Sequence, residues 1–348
     1  MPLVYELEDR KISFRIFAKQ HAFELLEKNG IHPSDISREF ISNMNRKFSI
    51  IVVGTSEDRN TLAFDLIDWG RQNSIRTVAI VDSAANYSYR FRGYGSSPLH
   101  NAPDFILVAD KWTKRKFEEI GFLSSHIFVI GQIYQDALAL KNRGALRKSL
   151  MGITHQTTKS VVFVSEISDG LNPNQYRRSR KYSLKGYGLK KFRTEIVIEE
   201  FIESINKLVN YGIKKPHLTL RLHPKEQGSS LGNLVTNFDF VSQVEEPLVL
   251  IQCADLVVGM TSMLLQEAHE LGVETLSIVP DIAERDWLSA TRDGLIDCAA
   301  DSQKIFDLLK LKLETLGNKK RATFQERLNR SEVASQIIKN LNLIGNLG

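Results

Sequence analysis

Short apolar runs recur along this chain, each followed by a polar turn and a stretch of helical spacing. "FSIIVVGTS" (Phe48–Ser56), "RTVAIVD" (Arg76–Asp82), "DFILVAD" (Asp104–Asp110) and "HIFVIGQ" (His126–Gln132) form one series, with "TLAFDLIDWGRQN" and "KRKFEEIG" as helices between them. Strands this short and this uniformly apolar need cover on both faces. Alternation with helices provides it, so the series predicts a parallel sheet between two helical layers. The segment before it, to about Asn45, reads as helical, and "AFELLEKNG" closes on a glycine suited to a helix end.

The polar, basic stretch "LKNRGALRKSLMGITHQTTK" interrupts the alternation and is the expected linker. A second series follows: "SVVFVSE" (Ser160–Glu166), a long amphipathic helix in "TEIVIEEFIESINKLVNYG" with Thr194 as its cap, then "HLTLRLHP", "FDFVSQ", "ADLVVGM" and "ETLSIVP" as strands. The carboxyl end, from "SQKIFDLLKLKLETLG" to "RSEVASQIIKNLNLI", has helical spacing. The expected class is α/β: two doubly wound domains facing a cleft, one over residues 1–145 and one over 155–348, with the terminal helix free to cross back. No repeat of 20–50 residues is visible.

Composition bounds the function. The 348 residues, 42% of them hydrophobic and 25% charged, suffice for two cores. No run reaches the roughly 18–20 apolar residues of a membrane span. The start, "MPLVYELEDRKISFRIF", is charged and lacks an apolar leader, so the expected location is the cytoplasm. Cys253 and Cys298 are far apart in small or apolar surroundings and read as reduced thiols. There is no HExxH and no Cys/His cluster, so no metal is expected.

A net charge of +5 suits an anionic ligand, and the excess is concentrated in "YRRSRKYSLKGYGLKKFR" (Tyr176–Arg193), which carries eight Lys or Arg and no acid. Three readings stand for Arg177, Arg178, Arg180 and Lys181: a solvated loop, contact with an anionic acceptor or the inner face of a membrane, and RNA, the last without support from any other RNA-binding signature.

Three strand ends in the second series carry chemistry. "TLRLHPKE" places His223 before Pro224, which biases its backbone toward extension, among Arg221, Lys225 and Glu226. Such a histidine can donate to phosphate or protonate a leaving oxygen, unless it is only a surface loop residue. Gly259-Met260-Thr261-Ser262 puts two hydroxyls at a helix start, where amides and dipole favour phosphate, although Ser and Thr there also serve as simple caps. Glu267 on the same helix can accept from a ribose diol or form a surface pair. Neither GxxxxGK[ST] nor GxGxxG follows any strand, which disfavours ATP and NAD.

With "LRLHPKE" and, about 35 residues later, "ADLVVGMTSMLLQEAHELG", the second half resembles the carboxyl-terminal domain of GT-B-fold sugar-nucleotide enzymes. It is similar to bacterial sialyltransferases, capsule Kdo transferases and teichoic-acid glycerophosphotransferases, and also to the non-hydrolysing UDP-N-acetylglucosamine 2-epimerases. "DFILVADKWTKRKFEEIGFLSSHIFVIGQIYQDAL" resembles the late amino-domain segment of the same group, so the likeness runs from about Phe48 onward. It implies two Rossmann-like domains, the first for an acceptor and the second for the nucleotide donor. By it His223 and Ser262 contact donor phosphate, Thr261 assists and Glu267 binds the ribose, with Arg221, Lys225 and Gly259 in the same donor site.

The epimerases carry a Gly-Asp segment near the first strands and a His-x-Glu-Ala-Gly-like segment after the third. Here "VGTSEDRN" and "VDSAANYSYRFRG" stand instead, which points away from epimerisation and toward transfer. A transferase needs an acid or base near its acceptor. Glu57, Asp58 and Asp82 end strands, and Asp82 is best placed, with turn formation as its other reading. Arg90 and Arg92, in the aromatic loop "NYSYRFRGYGSSPLH", suit an anionic group of the acceptor. The expectation is therefore a metal-independent glycosyltransferase, moving a sugar or sugar-like phosphoalcohol from a nucleotide-activated donor to a surface-polysaccharide or glycolipid acceptor, with Asp82 and His223 as catalytic candidates and no cofactor besides the donor. A nucleotide-sugar 2-epimerase or hydrolase of the same fold, and a non-catalytic nucleotide-sugar or RNA-binding protein, are the alternatives.

Overall fold

The computed structural model describes residues 2–44, 48–55, 58–132, 158–167, 179–186, 192–224, 226, 228–316 and 333–346. Its contacts divide the chain into two units, Met1–Arg143 with Asn329–Gly348, and Gly144–Leu328.

The first unit begins with α1 (Pro2–Asp9), β1 (Phe17–Ala18), α2 (His21–Lys28), β2 (Ser34–Asp35) and α3 (Arg38–Ser42), β1 and β2 forming a short parallel pair. Its main sheet comprises β3 (Ile50–Gly54), β4 (Arg76–Val81), β5 (Phe105–Val108) and β6 (Ile127–Val129), all parallel, with α4 (Leu62–Gln72) and α5 (Lys111–Glu119) among them. Each helix starts where a side chain satisfies an orphan amide: Thr61 Oγ1 accepts from Ala63 N, and Asp110 from Thr113 N. One face of the sheet buries Ala79, Val81, Ile106 and Val108 with Ile67 and Phe117.

The other face presents Val78, Phe105 and Leu107, and the carboxyl-terminal helix Val333–Asn346 covers them with Val333, Ile337 and Ile344. Arg76 Nη1 donates to Ile344 O at 3.0 Å and fastens that helix to β4. The sequence reading assigns 155–348 to the second domain and leaves the terminal helix free to cross back; the helix packs in the first unit, because a parallel sheet left bare on one face exposes an apolar surface.

The second unit comprises β7 (Ser160–Val164), α6 (Arg193–Asn210), β8 (His217–Arg221), β9 (Phe240–Ser242), α7 (Pro247–Cys253), β10 (Leu256–Gly259), α8 (Met263–Glu270), β11 (Glu274–Ile278), α9 (Ser289–Arg292), β12 (Asp297–Ala299) and α10 (Ser302–Thr315). Its six strands are parallel in the order β12-β11-β10-β7-β8-β9. Phe163, Leu220, Val258 and Leu276 from the sheet pack with Ile196, Phe201 and Ile205 of α6 and with Ile305 and Leu309 of α10. Thr194 lies inside α6 rather than capping it; Phe192 precedes the helix, and its amide is met by the Glu195 side chain at 3.2 Å.

Strand order fixes where a ligand fits. In the first sheet spatial order follows chain order, β3-β4-β5-β6. In the second, the chain steps from β7 outward through β8 and β9, then returns to β10 on the other side of β7 and continues outward through β11 and β12. The two directions part between β7 and β10, and the carboxyl end of such a switch point is the ligand crevice of open α/β sheets.

Candidate functional site

Four side chains meet at that switch point. Glu166 lies just beyond β7, Thr261 just beyond β10, Arg193 opens α6, and Glu284 lies between β11 and α9. Arg193 Nη1 donates to Glu166 Oε2 at 2.8 Å and Nε donates to Glu284 Oε2 at 2.7 Å. Arg193 Nη2 reaches Thr261 Oγ1 at 3.3 Å, and the guanidinium lies 5.5 Å from the Trp287 ring centre. Thr261 Oγ1 donates to Glu166 Oε2 at 3.1 Å, and the Thr261 amide donates to Glu166 Oε1. Thr194 Oγ1 anchors the same loop by donating to Glu166 O at 2.7 Å.

The cluster is dry. The Arg193 and Glu284 side chains are 1% and 5% exposed, and that of Glu166 is 15% exposed. Burial alone would lower the Arg193 pKa, but Glu284 and Glu166 outweigh it and hold the guanidinium charged, above its usual range. Burial pushes the Glu284 carboxyl up against the opposing pull of Arg193. Burial, with Glu284 beside it, likewise raises the Tyr182 phenol. A cation at a helix start opposes the helix dipole, so the fold tolerates Arg193 there only through its two carboxylates.

The residues assigned to donor phosphate fall into different places. Ser262 is the N-cap of α8, its Oγ accepting from Leu264 N at 3.2 Å. Thr261 is held by Glu166. Gly259 ends β10, and a Cβ there would meet Val164 O only at 3.4 Å, an ordinary contact, so the strand packing does not demand glycine. Arg221 is buried and donates to Ser242 Oγ at 2.8 Å, with Glu245 3.8 Å away, so it ties β8 to the end of β9. Burial lowers its pKa, against Glu245 and Glu246. His223 follows β8, half-buried; its amide donates to Glu226 Oε2 at 3.2 Å, and the Glu226 amide returns to His223 O at 2.8 Å. That reciprocal turn fixes the histidine backbone. Glu267 is half-buried on α8, and Lys225 lies outside the described residues.

At the strand ends of the first unit, Arg90 is buried and ties its own loop to the end of β3. Nε donates to Ala85 O at 3.1 Å, Nη1 to Thr55 Oγ1 at 3.3 Å and Nη2 to Ser83 O at 3.5 Å. Asp82, directly after β4, lies 3.5 Å from Arg90 Nη1 with its side chain 63% exposed. Arg92 Nε donates to Gly95 O at 3.1 Å, and its guanidinium packs 5.6 Å from the Tyr89 ring centre. Both arginines thus satisfy a loop whose carbonyls have few ladder partners, and Asp82 is the group turned to water. Asp58 Oδ1 accepts from Asn60 N at 2.9 Å as a turn former, and Glu57 lies outside the described residues.

Of the basic stretch, residues 179–186 and 192–193 are described, and Arg177 and Arg178 are not. Tyr182 and Leu184 are buried in the core of the second unit. Ser183 donates through its amide and Oγ to Pro280 O, at 2.8 and 3.0 Å, and its Oγ also lies against Ala300 O. The segment is therefore a strap pinned beside the ends of β11 and β12, with Arg180, Lys181 and Lys185 exposed along it. Among the described residues no group of His, Cys, Asp and Glu is arranged to hold a metal ion.

Sequence reasoning did not single out Glu166, Arg193 and Glu284 as a site. Glu166 carried a usable signal, a lone acid ending an apolar strand, but its partners are distant in sequence.

No family model and no curated protein matches the chain. Solved structures do. The UDP-GlcNAc 2-epimerase of Methanocaldococcus jannaschii, in complex with UDP-GlcNAc and UDP, superposes with a TM-score of 0.66 at 14% identity, covering 98% of this chain and 95% of that one. The Neisseria meningitidis UDP-GlcNAc 2-epimerase bound to UDP-GlcNAc gives 0.64 at 13% identity, covering 98% and 95%. Anabaena Alr3699/HepE in complex with UDP and glucose gives 0.60 at 12%, covering 98% and 94%. The chain thus shares the GT-B-like fold, two Rossmann-like α/β units, with UDP-GlcNAc 2-epimerases.

Proposed function

We propose that this protein is an enzyme of nucleotide-activated sugars that acts on the nucleotide sugar alone, as an epimerase or hydrolase. The observation that supports this reading is the likeness to nucleotide-sugar epimerases through both units and nearly the full length of both chains. In it, the second unit holds the nucleotide: His223, fixed by its Glu226 turn, faces phosphate, and Glu267 takes the ribose hydroxyls. Asp82, exposed and kept beside a buried cation, moves the proton on the sugar. The chemistry needs no cofactor beyond the nucleotide sugar.

A second reading, glycosyl transfer to a polysaccharide or glycolipid acceptor, has its own observation. The loop after β4 carries Asp82 and holds no His or Glu in "VDSAANYSYRFRG", and Arg180, Lys181 and Lys185 line an anchored strap suited to an anionic acceptor or membrane surface. No helix among the described residues is long and apolar enough to cross a membrane.

Incubation with UDP-, CMP- and GDP-sugars, followed by NMR of the anomeric and neighbouring protons, separates the readings. Epimer or free sugar from the nucleotide sugar alone supports the first. Turnover only with an added glycan acceptor moves the assignment to transfer. Thermal stabilisation by nucleotide without turnover leaves a binding protein.

A further inference from the structure

The loops that leave β3 and β4 at their carboxyl ends meet at Tyr94. Its hydroxyl donates to Asn60 Oδ1 at 3.2 Å, and the Arg59 guanidinium lies 5.7 Å from its ring centre. Asn60 is itself held: Arg38 Nη2 donates to its carbonyl at 3.2 Å, and its amide donates to Asp58 Oδ1 at 2.9 Å. The backbone around the tyrosine is closed on itself. Gly95 N donates to Arg92 O at 3.0 Å, Arg92 Nε returns to Gly95 O at 3.1 Å, and Asn101 Nδ2 donates to Arg92 O at 3.3 Å. Gly93, with φ +55°, makes the turn, and a Cβ there would come within 2.5 Å of Asn101 Nδ2. Tyr94 is therefore fixed through its hydroxyl and through its backbone, yet 71% exposed. A ring this exposed adds little to a core. So many restraints on it fit a side chain preorganised for a ligand, on the kind of loop where binding residues concentrate.

A pyranose suits what the two loops offer. One face of the sugar ring is a patch of C–H groups that packs on an aromatic face, while its hydroxyls can accept from the Arg59 guanidinium and donate to Asp58, both of which are exposed. A nucleic-acid strand suits it less, because it stacks successive bases on several rings and brings phosphates close to Asp58. We propose that Tyr94 and Arg59 form a saccharide-binding platform on the first unit, which takes a hexopyranose that carries no nucleotide. The platform uses none of the groups assigned above to the nucleotide or to proton transfer.

The test is saturation-transfer NMR on the full chain, without nucleotide, using the methyl glycosides of glucose, galactose and N-acetylglucosamine. At least one is expected to receive saturation on its ring C–H protons, and titration gives its Kd. Tyr94→Ala is expected to weaken that binding about tenfold with the thermal melt unchanged, and Tyr94→Phe, which keeps the ring, to hold it within about threefold. Arg59→Gln is expected to cost about threefold. No saturation of any of the three glycosides overturns the inference, and so does unaltered binding in a folded Tyr94→Ala. A single-stranded oligonucleotide that binds through Tyr94 while the glycosides do not overturns it in favour of nucleic acid. If Tyr94→Ala does not fold, Arg59→Gln decides, and unaltered binding there overturns the inference. Because no glycoside carries a nucleotide, these results leave the nucleotide-sugar reading to be tested separately by turnover.

Discussion

Both sheets bury an arginine at the carboxyl ends of their strands, and they use it in opposite ways. Arg90 in the first unit gives its hydrogen bonds to two loop carbonyls and a threonine hydroxyl, and the nearby Asp82 stays in water. Arg193 in the second unit sits between two carboxylates that are themselves largely buried. The first arrangement keeps a charged group available for proton transfer. The second spends its charges on each other and stiffens the turn that leads into α8. One unit thus keeps an exposed carboxylate beside its buried cation, and the other buries its carboxylates with theirs.

The sharpest way to break this comparison is Asp82→Asn. If Asp82 transfers the proton, turnover is expected to fall by about 10²–10⁴-fold, the range for general acid–base catalysis, while a thermal melt is unchanged because the side chain is mostly in water. A variant with normal turnover would return Asp82 to the role of turn former.

Stability tests the other half. Arg193→Met removes the cation and leaves Glu166 and Glu284 facing each other without it, so urea unfolding is expected to show a loss of about 3–5 kcal/mol. Arg90→Met leaves two carbonyls and a hydroxyl unmet and an Asp82 carboxylate that stays in water, and a loss of about 1–3 kcal/mol is expected. Equal losses at the two sites would mean that the carboxylates around Arg193 are better hydrated than their burial indicates.

Within the second unit, His223 and Ser262 looked alike in the sequence and now separate. His223→Ala is expected to weaken nucleotide binding by about 1–3 kcal/mol with little effect on folding. Ser262→Ala removes a cap, so about 1 kcal/mol of stability should go while nucleotide affinity holds. Titration calorimetry and urea unfolding on both variants decide the matter.

The alternation of apolar strands with helices was legible because it depends on local pattern. Both sheets follow from it. The terminal helix was harder to place: its apolar face is visible in "ASQIIKNLNLI", but the sheet face it covers is made by Val78, Phe105 and Leu107. The extended backbone of His223 before Pro224 was legible because one segment carries the whole signal, and the reciprocal turn with Glu226 fixes it. Ser262 and Thr261 drew attention for a good reason, a helix start, yet what fills a helix start is decided elsewhere in the chain. Glu166 lies 95 residues from Thr261, and Arg193 lies 91 from Glu284. No spacing rule links such partners before the strands are ordered. Arg90 and Arg92 read as ligands for an acceptor because a basic aromatic loop looks unsatisfied in sequence, whereas in the fold both donate to carbonyls of that loop.

The smallest effect is expected at the strap, whose charges are exposed rather than buried. Ser183 holds the strap beside β11 and β12 through the Pro280 and Ala300 carbonyls, and its buried neighbours Tyr182 and Leu184 belong to the core. Neutralising Arg180, Lys181 and Lys185 to Gln should therefore leave the fold and nucleotide affinity in place. If the strap guides an anionic acceptor or a lipid surface, the cost appears only with that partner, and it shrinks as salt rises, because exposed charges are screened over about 8–10 Å at physiological ionic strength. Sedimentation with vesicles containing phosphatidylglycerol, at low and high salt, reads the lipid case directly. Binding of the unaltered protein that fades with salt and is absent in the triple variant would favour the transferase reading with a membrane-borne acceptor. Equal behaviour of the two proteins at both salt concentrations would make the strap a solvated cover on the second unit.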